Sequence, residues 1–464
     1  MLVSSCARLQ ESGDLGDTWN APLTNCRIHI ALALQQTGKP GEARLFLEKL
    51  VDTLTPAGQE RHLAKVLFNL GTLCFLQGDL DQATRHLRRA VKTYKSLAES
   101  EHATIDETFG LATSLSSLGQ VLAANHRHDE AIDSLQLALP LHEELVDRDE
   151  ADVPNVLALA KTLTDMAGSL ITVGRERKAI EMLSQALEEL QEAQPGFNSA
   201  SLSESLATAQ VNLAQLVSEL GANSAGRDYA EAGLRLFIDL QEKYSRPQDS
   251  HGVALGQLTL AVILHNLDLD NEEGSEKYID NAARLLVELR RDAATAADRD
   301  RFSADLAEGH LVRANLLEKK GETTAALQSN SQALQELKQL DQMAQNTTNV
   351  DALARCYAQR SQIQMSLDQI TAAKESVRAA LKLRGELAEK GHYRRRLVCL
   401  LTDCVDPEQR DAQRAVSLAK HLSQDQPTSA RTWLALSAAC LEARQWTDSL
   451  DALQHAEKYL VLPG

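Results

Sequence analysis

The chain has 464 residues, and its 48 Lys and Arg against 65 Asp and Glu give a formal charge of −17. That balance argues against a nucleic-acid binder held by a basic surface, while 43% apolar residues argue against a disordered chain. Aromatics are only 4%, Leu, Ala, Gln and Glu abound, and no β-branched run alternates at period two, so the expected fold is all-α.

In chain order, residues 1–24 read as a polar lead-in or the remnant of a helix, because Leu2, Cys6 and Leu9 have helical spacing. The start lacks a charged segment followed by a long apolar one, which argues against a secretion signal. No run of about 18 apolar residues marks a membrane span. From about residue 25 a frame of small residues begins, the second 12 and the third 19 places after the first. It appears at Ala31/Ala43/Leu50, Gly71/Ala83/Ala90, Gly119/Ala131/Ala138, Ala167/Ala179/Ala186 and Ala214/Gly226/Gly233. Ala261/Ser275/Ala282 needs two extra residues. Ala314/Ala326/Ala333, Ser361/Ala373/Ala380, a weak Leu400/Ala412/Ala419 and Ser437/Ser449/Ala456 complete about ten copies. The last helix is expected to end near Leu460, with 461–464 as a tail.

Each frame position has a physical reason. Small residues suit the places where two helices cross closely and a larger side chain would overpack. Seven places after the first small residue stand Gly38, Gly78, Gly174, Gly221 and Gly321, which suit a helix stop with positive φ. His126, Asp268, Asp368 and Arg444 take that place in other copies. Polar linkers are expected at 99–108, 147–155, 194–203, 244–252, 290–303 and 342–351, with Pro154, Pro195 and Pro247 inside them. Pro140 falls within a predicted second helix and is expected to kink or shorten it. One such hairpin cannot bury its apolar faces alone, but stacked hairpins can, which predicts a continuous array over residues 25–460.

These residues resemble the tetratricopeptide repeat (TPR) family, and the long central copies resemble its kinesin-light-chain type. The Trp433, Leu436, Ser437, Trp446, Ser449, Leu453, Ala456 copy lies nearest the family pattern. The resemblance implies a TPR-type α-solenoid, a right-handed superhelix whose first helices line a concave groove that binds a protein or peptide segment. By family analogy the groove-facing residues are Lys65 and Asn69, Lys161 and Asp165, Thr208 and Asn212, and Arg355 and Gln359. Asn offers a donor and an acceptor to a peptide backbone, and Lys or Arg a cation to carboxylates. The side-chain set that holds the acidic C-terminus of heat-shock chaperones is not reproduced. Residues 403–420, with the Trp433 copy, also resemble the repeat-rich tail of bacterial serine/threonine kinases. No kinase phosphate loop, catalytic loop or metal-binding motif accompanies them.

Rival chemistry is thin. His126 and His128 make two imidazoles in a turn, too few for a metal site. Asp268, Asp270, Glu272 and Glu273 resemble half of a calcium loop, but Gly274 is one place late and Ile279 stands where a Glu is needed. A solvated two-residue insertion in a hairpin turn is the preferred reading. Arg394–Arg396 offers either a phosphate or acidic-segment site or the solvated start of a helix. Seven cysteines without a CxxC pair fit reduced thiols in a cytoplasm. No catalytic, cofactor or metal residue is assigned; the first alternative reading is a detached or truncated repeat tail of a bacterial serine/threonine kinase without its catalytic domain, and the second an all-helical enzyme.

Overall fold

The computed structural model describes residues 20–37, 39–55, 59–100, 103–148, 152–193, 199–267, 274–343, 347–389, 393–404 and 406–459. The expected lead-in through residue 19, Gly38, Pro195, the 268–273 acidic cluster and the 461–464 tail lie outside them. Twenty helices and no strand occur among the described residues. They build an all-α solenoid of antiparallel hairpins.

The helices fall into two compact units, the first over 1–173 and 188–197, the second over 174–187 and 198–464. In the first are α1 (Asn20–Gln36), α2 (Pro40–Leu54), α3 (Glu60–Leu76), α4 (Leu80–Ala98), α5 (Ile105–Ala124), α6 (His128–Arg148) and α7 (Val153–Thr172). Helix α8 (Glu176–Ala193) is divided between the units. The second unit continues with α9 (Ala200–Glu219), α10 (Asn223–Tyr244), α11 (Pro247–Asn266), α12 (Gly274–Asp292), α13 (Ala296–Lys319) and α14 (Thr323–Met343). It ends with α15 (Thr347–Ser366), α16 (Ile370–Glu389), α17 (Arg394–Asp403), α18 (Ala412–Asp425), α19 (Ala430–Glu442) and α20 (Trp446–Tyr459). Within each unit consecutive helices other than α8 pack on one another, and first helices of successive hairpins also touch: α3 on α5, α5 on α7, α9 on α11 and α11 on α13.

The frame of small residues is the packing seam. Ala83, Ala90, Ala131, Ala138, Ala214, Ala261, Ala314 and Ala326 are all fully buried. A Cβ added at Gly119 would stand 2.6 Å from Leu135 Cγ, and one at Gly71 2.7 Å from Leu87 Cγ. In both cases the missing side chain is replaced by a leucine from the second helix of the same hairpin. Leucines one turn after the small residue of the second helix, Leu87 after Ala83 and Leu135 after Ala131, then fill the space that close approach creates.

The turn is equally regular in seven of the hairpins. Gly78, Gly174, Gly221 and Gly321 have φ of 73° to 92°. His126, Asp368 and Arg444 stand in the same place with φ of 57°, 55° and 59°. The next residue's N–H then reaches back five residues, as in Asp79 N to Cys74 O at 2.9 Å and Gln445 N to Cys440 O at 2.8 Å. This is the hydrogen bond that satisfies an orphan carbonyl at a helix end. The geometry of the hairpin therefore imposes the left-handed backbone even where no glycine is present.

The structure corrects three details. Helix α6 runs uninterrupted through Pro140 for 21 residues, so the proline does not shorten it. First helices begin inside the expected linkers, at Ile105, Val153, Ala200, Pro247, Ala296 and Thr347, because capping residues such as Thr104 and Thr295 start them early. In the ninth copy α17 has only ten residues, Leu400 and Ala412 are half-buried, and Leu401 and Ala415 fill the core instead. Among the described residues of its turn none has a positive φ, and Asp411 N donates to Leu401 O while the Asp411 carboxylate caps α18.

A contact far apart in sequence lies within the second unit. Ser429 Oγ donates to Glu176 Oε1 at 2.8 Å, Arg431 Nε to the same oxygen at 3.0 Å, and Arg431 Nη1 to Glu219. Glu176 is buried, so its charge must be paired there.

Candidate functional site

The first helices carry the expected groove residues one turn apart, so each pair shares a helix face. On α3, Lys65 is exposed and Asn69 half-buried, and Asn69 Nδ2 donates to the Lys65 carbonyl at 2.8 Å. Both line a cavity of about 560 Å³ between α3 and α5, together with Tyr94, Glu107 and Phe109. Arg61 Nε pairs with Glu107 at 2.5 Å at its edge. Burial pushes the Tyr94 hydroxyl up to about 12, so it stays a neutral donor or acceptor.

Between α5 and α7 a second recess of about 380 Å³ is lined by Gln120, Lys161 and Asp165. Lys161 Nζ pairs with Asp165 Oδ2 at 3.0 Å, and Gln120 Nε2 donates to that oxygen at 2.6 Å. Beneath it Ser116 Oγ lies 3.1 Å from His142 Nε2 and 2.9 Å from Thr162 Oγ1. His142 is fully buried, and burial pulls its imidazole down to about 4. It is a neutral strut between α5 and α6 over the ordinary pH range.

In the second unit Thr208 is exposed and donates to the Glu204 carbonyl at 2.8 Å, with Asn212 half-buried on the same face of α9. On α15, Arg355 forms a two-pronged pair with Glu308 of α13, at 3.0 Å and 2.6 Å. Burial alone would raise the Glu308 carboxyl, but Arg355 holds it below its ordinary value. Gln359 is buried: its amide donates to Leu311 O at 2.9 Å and Asn315 Oδ1 at 2.5 Å, and accepts from Asn330 at 2.8 Å. Its hydrogen-bonding capacity is spent on packing α13, α14 and α15.

The arginine cluster at the start of α17 is not a solvated helix end. Arg394, Arg395 and Arg396 are all partly buried, and burial lowers the affinity of Arg395 and Arg396 for their protons. Arg396 pairs with the buried Asp351 of α15. Arg384 of α16, Asp351 and Glu308 join this cluster, and spacing did not single them out. A signal was present: Arg384 occupies a place in the apolar stripe of Val377, Ala380 and Leu387, where an arginine is out of character.

Among the described residues no three or more His, Cys, Asp or Glu side chains could hold a metal ion, and the His126 and His128 rings lie 6.2 Å apart. The six described cysteines are free thiols.

Three segments match tetratricopeptide repeat models, at residues 23–96, 111–152 and 354–386. These three segments carry tetratricopeptide repeats. Among solved structures it is similar to the apo form of RapI, at 15% identity and a TM-score of 0.50, covering 70% of this chain and 99% of that one. BtubC (BKLC) from P. vanneervenii matches at 19% identity and a TM-score of 0.43, over 57% of this chain and 93% of that one. The nearly identical TPR-like repeats of a putative kinesin light chain from Podosopora anserina match at 19% identity and a TM-score of 0.37, over 48% of this chain and 96% of that one. None of the curated proteins matches the chain. At 15% identity the RapI match, over 70% of this chain, speaks for the fold alone.

Proposed function

We propose that this repeat protein is a non-catalytic scaffold that binds a protein or peptide segment along its first helices. The observation that carries the reading is the α3–α5 cavity, which brings Lys65 and Asn69 together beside aromatic Tyr94 and Phe109. A cation, an amide and two rings are the groups that grip a peptide carboxylate, backbone and apolar side chain. The recess holding Lys161, Asp165 and Gln120 continues the same row of first helices, and Thr208 and Asn212 offer polar groups on α9. Arg355 belongs to the same set through its own cavity, whereas the paired Gln359 supports the fold. Six free cysteines support a reducing, cytoplasmic setting, and no described helix is long and apolar enough to cross a membrane.

Asn69→Ala combined with Asn212→Ala tests the reading. Partner recovery from a lysate, quantified by mass spectrometry, is expected to fall with the helix content by circular dichroism unchanged. Unchanged recovery and affinity would remove the groove assignment.

A further inference from the structure

A cavity of about 280 Å³ lies in the second unit, lined among others by Arg355, Arg384, Arg396, Cys399, Asp403 and Cys404. Its volume sits at the lower edge of small-molecule sites, enough for one functional group rather than a whole metabolite. Three guanidinium groups converge on it from three helices, α15, α16 and α17.

Two of these cations have matching anions. Arg355 is held by Glu308 and Arg396 by Asp351. Arg384 has no carboxylate of its own and shares Asp351 with Arg396. It is only 5% exposed, its Nε has no hydrogen-bond partner, and its Nη1 stands 3.4 Å from Asp351 Oδ1 without forming a hydrogen bond. Arg355 Nε also lacks a hydrogen bond, and sits 3.7 Å from Asp351. Burial, with repulsion from Arg355, draws the Arg384 guanidinium down to about 10. A buried cation with unfilled donors is costly unless an acceptor arrives. Asp403, the acid that lines the cavity, is exposed at its edge, and Cys399 and Cys404 are free thiols whose burial keeps them protonated.

We propose that this cavity is a binding site for an oxyanion, a phosphoryl or carboxylate group, recognised by Arg384 with Arg355 and Arg396. Planar guanidinium forks match such oxygens in geometry and charge. The overall charge of −17 repels anions in general, so an anion that binds does so at a local site. The proposal rests on the groove reading only in that a bound segment would bring the group. The cavity itself is testable without any peptide.

The experiment is calorimetric titration of the full chain with inorganic phosphate, and separately with acetate, at matched ionic strength. Saturable one-to-one binding of either ion is expected, and the ion that binds decides between the phosphoryl and carboxylate sources. Arg384→Met should weaken it at least tenfold, with Arg384→Lys intermediate because a lysine cannot offer the fork. If Arg384→Met fails to fold, the half-exposed Arg396→Gln serves, and it too should weaken binding severalfold. No binding of either ion to the wild type, or equal affinity in the Arg384→Met or Arg396→Gln variant, overturns the site. Absent ion binding alongside lost partner recovery in the Asn69/Asn212 variant would remove this pocket and leave the groove standing. Ion binding with unchanged recovery would do the reverse.

Discussion

Gly119→Ala and Gly168→Ala are the same chemical change in neighbouring first helices, and the structure gives them opposite signs. Alanine in a helix interior is favoured over glycine by about 1 kcal/mol, because glycine loses more backbone freedom on folding. Gly168 of α7 is exposed, and an added methyl would meet nothing within 4 Å. Gly168→Ala should therefore collect most of that gain. At Gly119 the new carbon would lie 2.6 Å from Leu135 Cγ, 2.8 Å from Cδ2 and 3.2 Å from Cδ1. Carbon atoms settle at about 3.5–4.0 Å, so Leu135 or the whole of α6 must retreat by nearly an ångström. Leu135 is fully buried and has no free end to swing away. Overpacking of this kind costs about 1–3 kcal/mol, which outweighs the propensity gain and leaves Gly119→Ala about 1 kcal/mol less stable than wild type. The gap between the two variants should be about 2 kcal/mol.

Repeat arrays do not always unfold in one step, so a single melting temperature is a poor readout. Native-state hydrogen exchange resolves the two hairpins separately. Amides of α5 and α6 should lose protection in Gly119→Ala, and amides of α7 should gain it in Gly168→Ala. Truncation to Leu135→Ala should be milder in the Gly119→Ala background than in wild type, since it removes the clashing atoms. If Gly119→Ala stabilises as much as Gly168→Ala, close approach of the paired helices is not what the small residues provide, and the account of the frame fails.

Other outcomes follow from the turns and the buried histidine. Arg444→Gly and His126→Gly should each stabilise their hairpin by about 1 kcal/mol, because a non-glycine residue at φ of 59° or 57° bears left-handed strain. Urea melts that show no gain in either variant would count against that strain. His142 is depressed from 6.5 to about 4 by burial, so the unfolded chain binds its proton first and stability falls as pH drops from 6.5 towards 4. About 2 kcal/mol of the loss between pH 7 and 5 should be absent in His142→Gln, and equal slopes for the two proteins in urea melts would refute it.

The hairpin frame was legible because it depends on near neighbours. A small residue, a stop and a leucine stripe act within some forty residues, so the offsets alone placed Ala83, Ala131 and Ala326 in the core and marked His126, Asp368 and Arg444 as the left-handed turn. The ninth copy misled because its first helix is short. Burial moved to Leu401 and Ala415, a shift that spacing cannot announce when neither a glycine nor a long stripe fixes the register. Groove residues were legible only as positions. Nothing local separates Asn69, which lines a cavity, from Gln359, whose amide is consumed by Asn315 and Asn330 arriving from other helices.

Charge pairing is the least local of all. Glu176 meets Arg431 across 255 residues of sequence, and Arg384 meets Asp351 and Arg355 only after three helices have packed. Such pairs follow from a burial constraint rather than a pattern: an ionised group carried into the interior by its helix register must find an opposite charge there. Glu176 and Arg396 have found theirs. Arg384 is carried inward by the same register that buries Val377 and Leu387, yet its nearest carboxylate already serves Arg396. A leucine in that stripe would need no charge partner, so the under-paired guanidinium beside the cavity is the observation on which the proposed oxyanion site rests.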